Sequence, residues 1–270
     1  MRSMSLRGLI LVLLLASVAV LVQACQQSEL AEEPKQPAEE AAKPAEQPKQ
    51  PGEAAKEPAE ASGDGDLEPI TIELPREQIP GLPPLELFRT RDLFGPHVEK
   101  PLGKRRPPFK APKGTTNVAL KKPVSGSDKE PIMGKLELIT DGDKEPSDGN
   151  YVELGSGRQY VQIDLGAEHN IYAVVIWRFQ AEPRVYHDVV VQVCSDPDFS
   201  TEVTAVFNND YDNSAGLGVG EGLERIETYE GHLIDSKGVK GRYVRLYSNG
   251  NTTNGFNHYI EVEVYGKPAP

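Results

Sequence analysis

Two stretches near the C-terminal end alternate cleanly between apolar and polar side chains. In GRYVRLYS, 241–248, Val244 and Leu246 face one way and Tyr243, Arg245 and Tyr247 the other. In HYIEVEVYG, 258–266, Ile260, Val262 and Val264 share one face and Glu261, Glu263 and Tyr265 the opposite one. A period of two marks strands with one buried face. The pattern predicts a closing hairpin over these two strands, with the polar loop SNGNTTNGFN between them. Further strands are expected at 160–166 (YVQIDLG), 169–180 (HNIYAVVIWRFQ) and 188–196 (DVVVQVCSD), with weaker ones at 204–210 and 227–235. NVALKKPVSGS, 117–127, reads as a short strand and a turn. No stretch keeps an apolar helix period over three turns. Short strands separated by Gly, Asn and Asp turns predict an all-β sandwich or barrel.

The apolar signal is different at the N-terminus. Arg2 and Arg7 precede GLILVLLLASVAVLV at 8–22. A positive region followed by an apolar run of this length reads as a secretory signal, and the run is short for a membrane span of about 20 residues. It ends in VQAC at 22–25, which resembles the lipobox of bacterial lipoproteins. The resemblance implies a signal peptide over 1–24, cleavage before Cys25, and acylation of Cys25 by fatty chains such as palmitate. Two or more chains give firm membrane anchoring. Gln26 follows the cysteine; by resemblance to enterobacterial sorting rules, the absence of Asp there favours the outer membrane. The other cysteine, Cys194, lies in an apolar strand and reads as an inert buried side chain.

Composition divides the remainder. Sixteen of the 23 prolines fall between residues 26 and 115. Residues 25–66 consist mainly of Ala, Glu, Pro, Lys and Gln, a disordered tether by composition. Residues 67–115 hold apolar pieces (TIEL, LPPLELF) and a basic one (KRRPPFK), and read as an extended lead-in lying against the domain. The globular part is 116–267. The net charge of −12 divides into −7 over 26–66, +3 over 67–115 and −10 from 116 onward, with +2 in the signal. An acidic domain repels phosphate backbones, so no nucleic acid is expected as partner, whereas glycans and cations are compatible.

Within 116–266 the segments NVALKKPVSGS, ITDGD, YVQIDLG, IYAVVIW, GRYVRLY and EVEVYG follow in the order of the discoidin family, also called coagulation factor 5/8 type C domains. The chain resembles that family, which includes the family 32 carbohydrate-binding modules. The resemblance implies a jelly-roll β-sandwich of the galactose-binding-like kind, with its loops gathered at one end. It also implies a structural Ca²⁺ held by Asp141, Asp143, Ser147 or Asp148 on the DGDKEPSDG loop, together with Glu261. Hard cations take six to eight oxygen ligands, which closely spaced acids on a Gly-bent loop supply. The Thr and Trp that often follow DGD in the family are absent here. A second acidic stretch, NNDYDNSAGLGVGEG, spaces Asp210, Asp212 and Ser214 at alternate positions, faintly like a calcium loop; it reads equally as a long flexible loop.

The loops WRFQAEPRVYHD, 177–188, and SNGNTTNGFNHY, 248–259, fall at strand ends. Sugar sites join aromatic platforms to side chains that form paired hydrogen bonds. The candidate rim is Arg178, Arg184, Tyr186, His187, Asn251, Phe256, Asn257 and His258, with Trp177 assigned to the core. No G-x-S-x-G, H-E-x-x-H or P-loop pattern occurs, so no catalysis is expected. The reading is a lipid-anchored, non-catalytic module that presents a glycan-binding domain at a bacterial envelope. The alternative is a structural or protein-interaction lipoprotein of the envelope.

Overall fold

The computed structural model describes residues 66–75, 95–100, 102, 104–181 and 184–270. The signal segment, Cys25 and all of the tether but Asp66 lie outside the described residues. The strands are β1 (Leu67–Pro69), β2 (Lys110–Pro112), β3 (Thr116–Asn117), β4 (Val124–Gly126), β5 (Val152–Leu154), β6 (Arg158–Trp177), β7 (Val190–Cys194), β8 (Thr204–Asn208), β9 (His232–Asn249), β10 (Asn257–Tyr259) and β11 (Glu261–Pro268), with one 3-10 turn at Leu136–Thr140. The main sheet runs β3-β11-β6-β9-β7-β8, with β4 added to β6; β5–β10 and β1–β2 form separate pairs.

β6 has 20 residues. Fully extended it would measure about 66 Å, well beyond the roughly 30–40 Å width of a domain of this size. It therefore folds over. Its pairing with β9 breaks between Asp164 and His169 and again between Ile171 and Ala173. Before the first break β6 pairs with β4 and with Tyr243–Asn249 of β9; from His169 onward it pairs with β11 and with the first half of β9. The parity of its buried side chains changes at the second break. Val161, Ile163, Leu165 and Ile171 on one side and Val174 and Ile176 on the other enter a single core with Val191, Val244, Leu246, Val262 and Val264. Two layers thus face each other across one apolar interior, the all-β sandwich that the strand pattern predicts. Each of these Val, Ile and Leu side chains is fully buried, a contribution of roughly 1.5–3 kcal/mol apiece before entropy is counted.

The expected closing hairpin is not one. β6 lies between β9 and β11, which do not pair with each other. Alternation reports a buried face; it carries no information on which strand lies alongside. The stretches expected at 160–166 and 169–180 likewise fall on one bent strand, which ends at Trp177.

The polar face of β11 is covered as well: Glu261, Glu263 and Tyr265 are all buried. The lead-in provides much of the cover. Ile70, Ile72, Leu74 and Phe109 pack on a second cluster formed by Ala173, Val175, Trp177, Ile260 and Tyr265. Among the described residues, the packed unit accordingly starts well before residue 116, with Ile70 already in contact with the sheet. Lys144 closes the same face. Its Nζ lies 2.7 Å from Glu263 Oε1, donates to the Glu73 carbonyl at 2.7 Å, and sits 4.7 Å from the centre of the Trp177 ring. Trp177 is fully buried, as the sequence indicates, and its Nε1 donates to the Tyr229 carbonyl at 3.0 Å. Gly231 abuts that indole at φ +68°, where a Cβ would come within 2.8 Å of the ring, so a side chain is excluded both by space and by backbone. Cys194 is buried and free of any disulfide.

Candidate functional site

Because β6 and β9 both fold over, the start of β6, its end and both ends of β9 lie at the same end of the sandwich. Contacts confirm this. Tyr259 Oη donates to the Leu246 carbonyl at 3.3 Å, and Tyr186 bridges to Asn251. The segments 178–181, 184–189 and 249–260 therefore meet over one end, where strand pleating no longer dictates which way side chains point.

At its centre is a chain of three polar groups. Tyr186 Oη and His258 Nδ1 are 2.9 Å apart, and His258 Nε2 lies 2.9 Å from Glu153 Oε2. Burial holds the His258 pKa below its ordinary value, with Glu153 working in the opposite direction. Burial also pushes the Tyr186 phenol upward. Aromatic rings gather around His258: Tyr151 and Phe179 are 5.3 Å apart, edge to face, and each is 5.9 Å from the imidazole. The Arg184 guanidinium lies 4.5 Å over Phe179. Tyr151 and Phe179 are half-buried, whereas Arg184, Tyr186 and His258 are buried beneath them. The surface offered to solvent is thus two aromatic rings and the Glu153 carboxylate, backed by a buried cation.

The structure separates the candidate rim into groups. Arg184, Tyr186 and His258 come together. His187 stands beside them, its side chain 39% exposed and its Nδ1 2.6 Å from Glu224 Oε1, which raises its pKa. Arg178 is entirely buried between the rings of Tyr186 and Tyr259, at 5.0 and 5.1 Å, with Glu227 Oε1 at 3.5 Å. Asn257 is also fully buried; it donates to the Gly155 and Gly157 carbonyls and accepts from the Gly250 amide. As contacts for a ligand, Arg178 and Asn257 are therefore corrected: both are inside the scaffold, Arg178 under the loops and Asn257 between them. Asn251 holds its own turn, donating to Asn254 Oδ1 and the Phe256 carbonyl and accepting from the Thr253 amide. Phe256 is half-buried on that loop. Sequence reasoning passed over Tyr151, Glu153, Phe179 and Glu224. Phe179 lies within the loop stretch singled out at 177–188, but the others pair with residues 28 to 107 positions away, which no local pattern reveals.

The DGD loop meets β11. The Gly142 amide donates to Glu261 Oε2 at 3.1 Å. Glu261 Oε1 is buried and has no hydrogen-bond partner among the described residues. Burial, together with Glu263 and Asp141, pushes the Glu261 pKa up to about 9. An orphaned buried carboxylate oxygen facing a second acid suits a hard cation. Asp141 is half-buried at the site, but Asp143, Ser147 and Asp148 are exposed, and Asp143 Oδ1 accepts from the Glu145 amide. Among the described residues, the three carboxylates that do converge are elsewhere: Asp188, Asp210 and Asp212, with oxygens within 4.8 Å of one another.

No family profile matches the chain, and no curated protein matches it. Among solved structures it is similar to the family 32 carbohydrate-binding module of AlyQ in complex with 4,5-unsaturated mannuronic acid, with TM-score 0.40, 20% identity, and coverage of 53% of this chain and 92% of that one. It is similar to chitosan-binding module 1 from a chitosanase/glucanase of Paenibacillus sp. IK-5, with TM-score 0.38, 21% identity, and 56% and 99% covered. A fucose binding module of Streptococcus pneumoniae, SpX-3, matches with TM-score 0.39, 20% identity, and 56% and 97% covered.

Proposed function

We propose that this protein is a non-catalytic carbohydrate-binding module held at a bacterial envelope by a lipid on Cys25. The observation that carries the reading is the loop-end surface of Tyr151 and Phe179 with Arg184, His258 and Glu153 behind and beside them. Aromatic faces pack on the C–H face of a pyranose, and fixed polar groups beside them select hydroxyl positions. The lipobox and tether of the sequence supply the anchor and the reach. The test is an array of saccharides covering neutral hexoses, deoxyhexoses, amino sugars and uronic acids, probed with residues 59–270. Retention that drops at least tenfold in Phe179→Ala supports the reading. A folded protein with no retention on any saccharide overturns it.

The cation belongs to the same proposal. Glu261 and Asp141 would hold a structural Ca²⁺ that pins the DGD loop onto β11. Thermal unfolding in EDTA and then in excess Ca²⁺ tests it: a rise of several degrees is expected on adding the ion. No rise in the wild-type protein removes the site.

A further inference from the structure

The lead-in returns to the domain a second time, at residues 95–100, and here it touches the rim instead of the sheet. Val98 forms a parallel bridge to Glu224: the Glu224 amide donates to the His97 carbonyl at 2.9 Å, and the Glu99 amide to the Glu224 carbonyl at 2.7 Å. The Val98 side chain packs against Val185 and Ile226, which otherwise form a small separate cluster. The His97 ring stacks on Tyr211 with centroids 3.9 Å apart and planes 4° from parallel. Arg225 Nε lies 3.5 Å from Glu99 Oε2. Backbone, apolar and aromatic contacts thus hold both margins of the long loop that separates β8 from β9.

That loop carries Glu224, and the Glu224 carboxylate is the partner of His187. We propose that His97, Val98 and Glu99 form a strap that positions His187 at the rim by fixing Glu224. The lead-in is then part of the binding end and not merely a spacer. His187 meets the carboxylate through Nδ1 while its side chain stays 39% exposed, so the residues that hold its partner come more than eighty positions earlier in the chain. The groups facing His187 are Glu224 and Asp188, both of which favour its charged form. Any effect of the strap on saccharide binding rests on the reading of the rim given above; its effect on His187 does not.

The experiment uses the full chain in detergent micelles with ¹³C-labelled histidine, the His187 signal being identified by His187→Gln. Glu224→Gln sets the reference: the His187 midpoint falls because the carboxylate is gone. In Val98→Asp the same midpoint is expected to fall toward the Glu224→Gln value. Amide exchange across 208–226 should accelerate tenfold or more, with exchange in β6 unchanged. Tyr211→Ala, which removes the stack at an exposed ring, should give a smaller shift in the same direction and guards against misfolding of the Val98 variant. Wild-type His187 titration and loop exchange in both variants would overturn the strap. Loss of saccharide retention without any His187 shift would overturn it too. A shifted His187 with saccharide retention unchanged would leave the strap standing and remove the saccharide reading of this part of the rim.

Discussion

Asp188, Asp210 and Asp212 bring three carboxylates together, whereas Glu261 is a single one, yet it is Glu261 that is left short of partners. The Asp210 oxygens accept from the Ser214 and Ala215 amides, both at 2.9 Å. Asp188 Oδ2 accepts from Ser214 Oγ at 2.7 Å and from Asn249 Nδ2 at 2.8 Å. Asp212 Oδ1 accepts from the Ser214 amide at 3.0 Å. Their negative charge is spent on holding the start of a long loop. Among the described residues, Glu261 has one amide on one oxygen and no hydrogen-bond partner on the other. How many acids meet in a place is thus a poorer guide to a cation than whether their lone pairs are already used. Two residues further along β11, Glu263 makes the same point from the other side. It is buried too, but it has Lys144 at 2.7 Å and the Tyr265 hydroxyl at 2.8 Å.

The largest effect expected is from breaking that neighbouring pair. Lys144→Met leaves Glu263 as a buried carboxylate without its cation and also removes the ammonium from over the Trp177 ring. A loss of about 3 kcal/mol in unfolding free energy is expected, since removing one partner of a buried pair strands the other. If chemical denaturation shows Lys144→Met near neutral, Glu263 is not held as the structure places it.

Glu261 should respond in the opposite direction. Its folded-state pKa of about 9 lies above the ordinary 4.5. The folded chain therefore keeps a proton that the unfolded chain releases. The associated stability is fully present below pH 4.5 and is lost as pH rises toward 9. In EDTA the wild-type protein should then weaken steadily from pH 5 to pH 8.5. Glu261→Gln cannot ionise, so at pH 8 in EDTA it should be more stable by on the order of 3 kcal/mol, roughly 5–10 °C in melting temperature. Excess Ca²⁺ should raise the wild-type melting temperature by an amount that grows with pH, and should not move Glu261→Gln at all. A pH-independent wild-type protein in EDTA would mean that the carboxylate has found a partner in solution.

These contrasts also mark what could be read from residues alone. Val244, Leu246, Val262 and Val264 alternate as one-sided strands do, and they are in the core. Trp177, in an unbroken apolar run, is there as well. What alternation could not convey was that β6 sits between the two closing strands, or that its register breaks turn it from one layer to the other. The burial of Glu261 was equally hidden, because the loop amide that meets it, that of Gly142, comes 119 residues earlier in sequence. At the loop end, Arg184, Tyr186 and His258 come together, and loop position and residue type suffice to nominate them. Arg178 was misplaced because its fate depends on Glu227, 49 residues away. Rim polarity is local information; the partner that draws a side chain inward is not.

The acidic trio supplies the smallest effects, and these separate a structural cluster from a cation site. Asp210 is fully buried, and burial raises its pKa, but both oxygens are accepting from amides. Asp210→Asn turns one acceptor into an NH₂ group facing an N–H, so a hydrogen bond is lost and a donor is stranded. A loss of about 1–3 kcal/mol is expected. Asp212 is exposed, and its hydrogen bonds with Ser214 lower its pKa. Asp212→Asn keeps an acceptor oxygen for the Ser214 amide, so its melting temperature should stay within about a degree of wild type, in keeping with the small effects of surface substitutions. Neither change should alter the response to Ca²⁺ if the trio serves only the loop. A Ca²⁺ response that survives Glu261→Gln and vanishes in Asp212→Asn would reverse the comparison and move the cation from the closing strand to the β8–β9 loop.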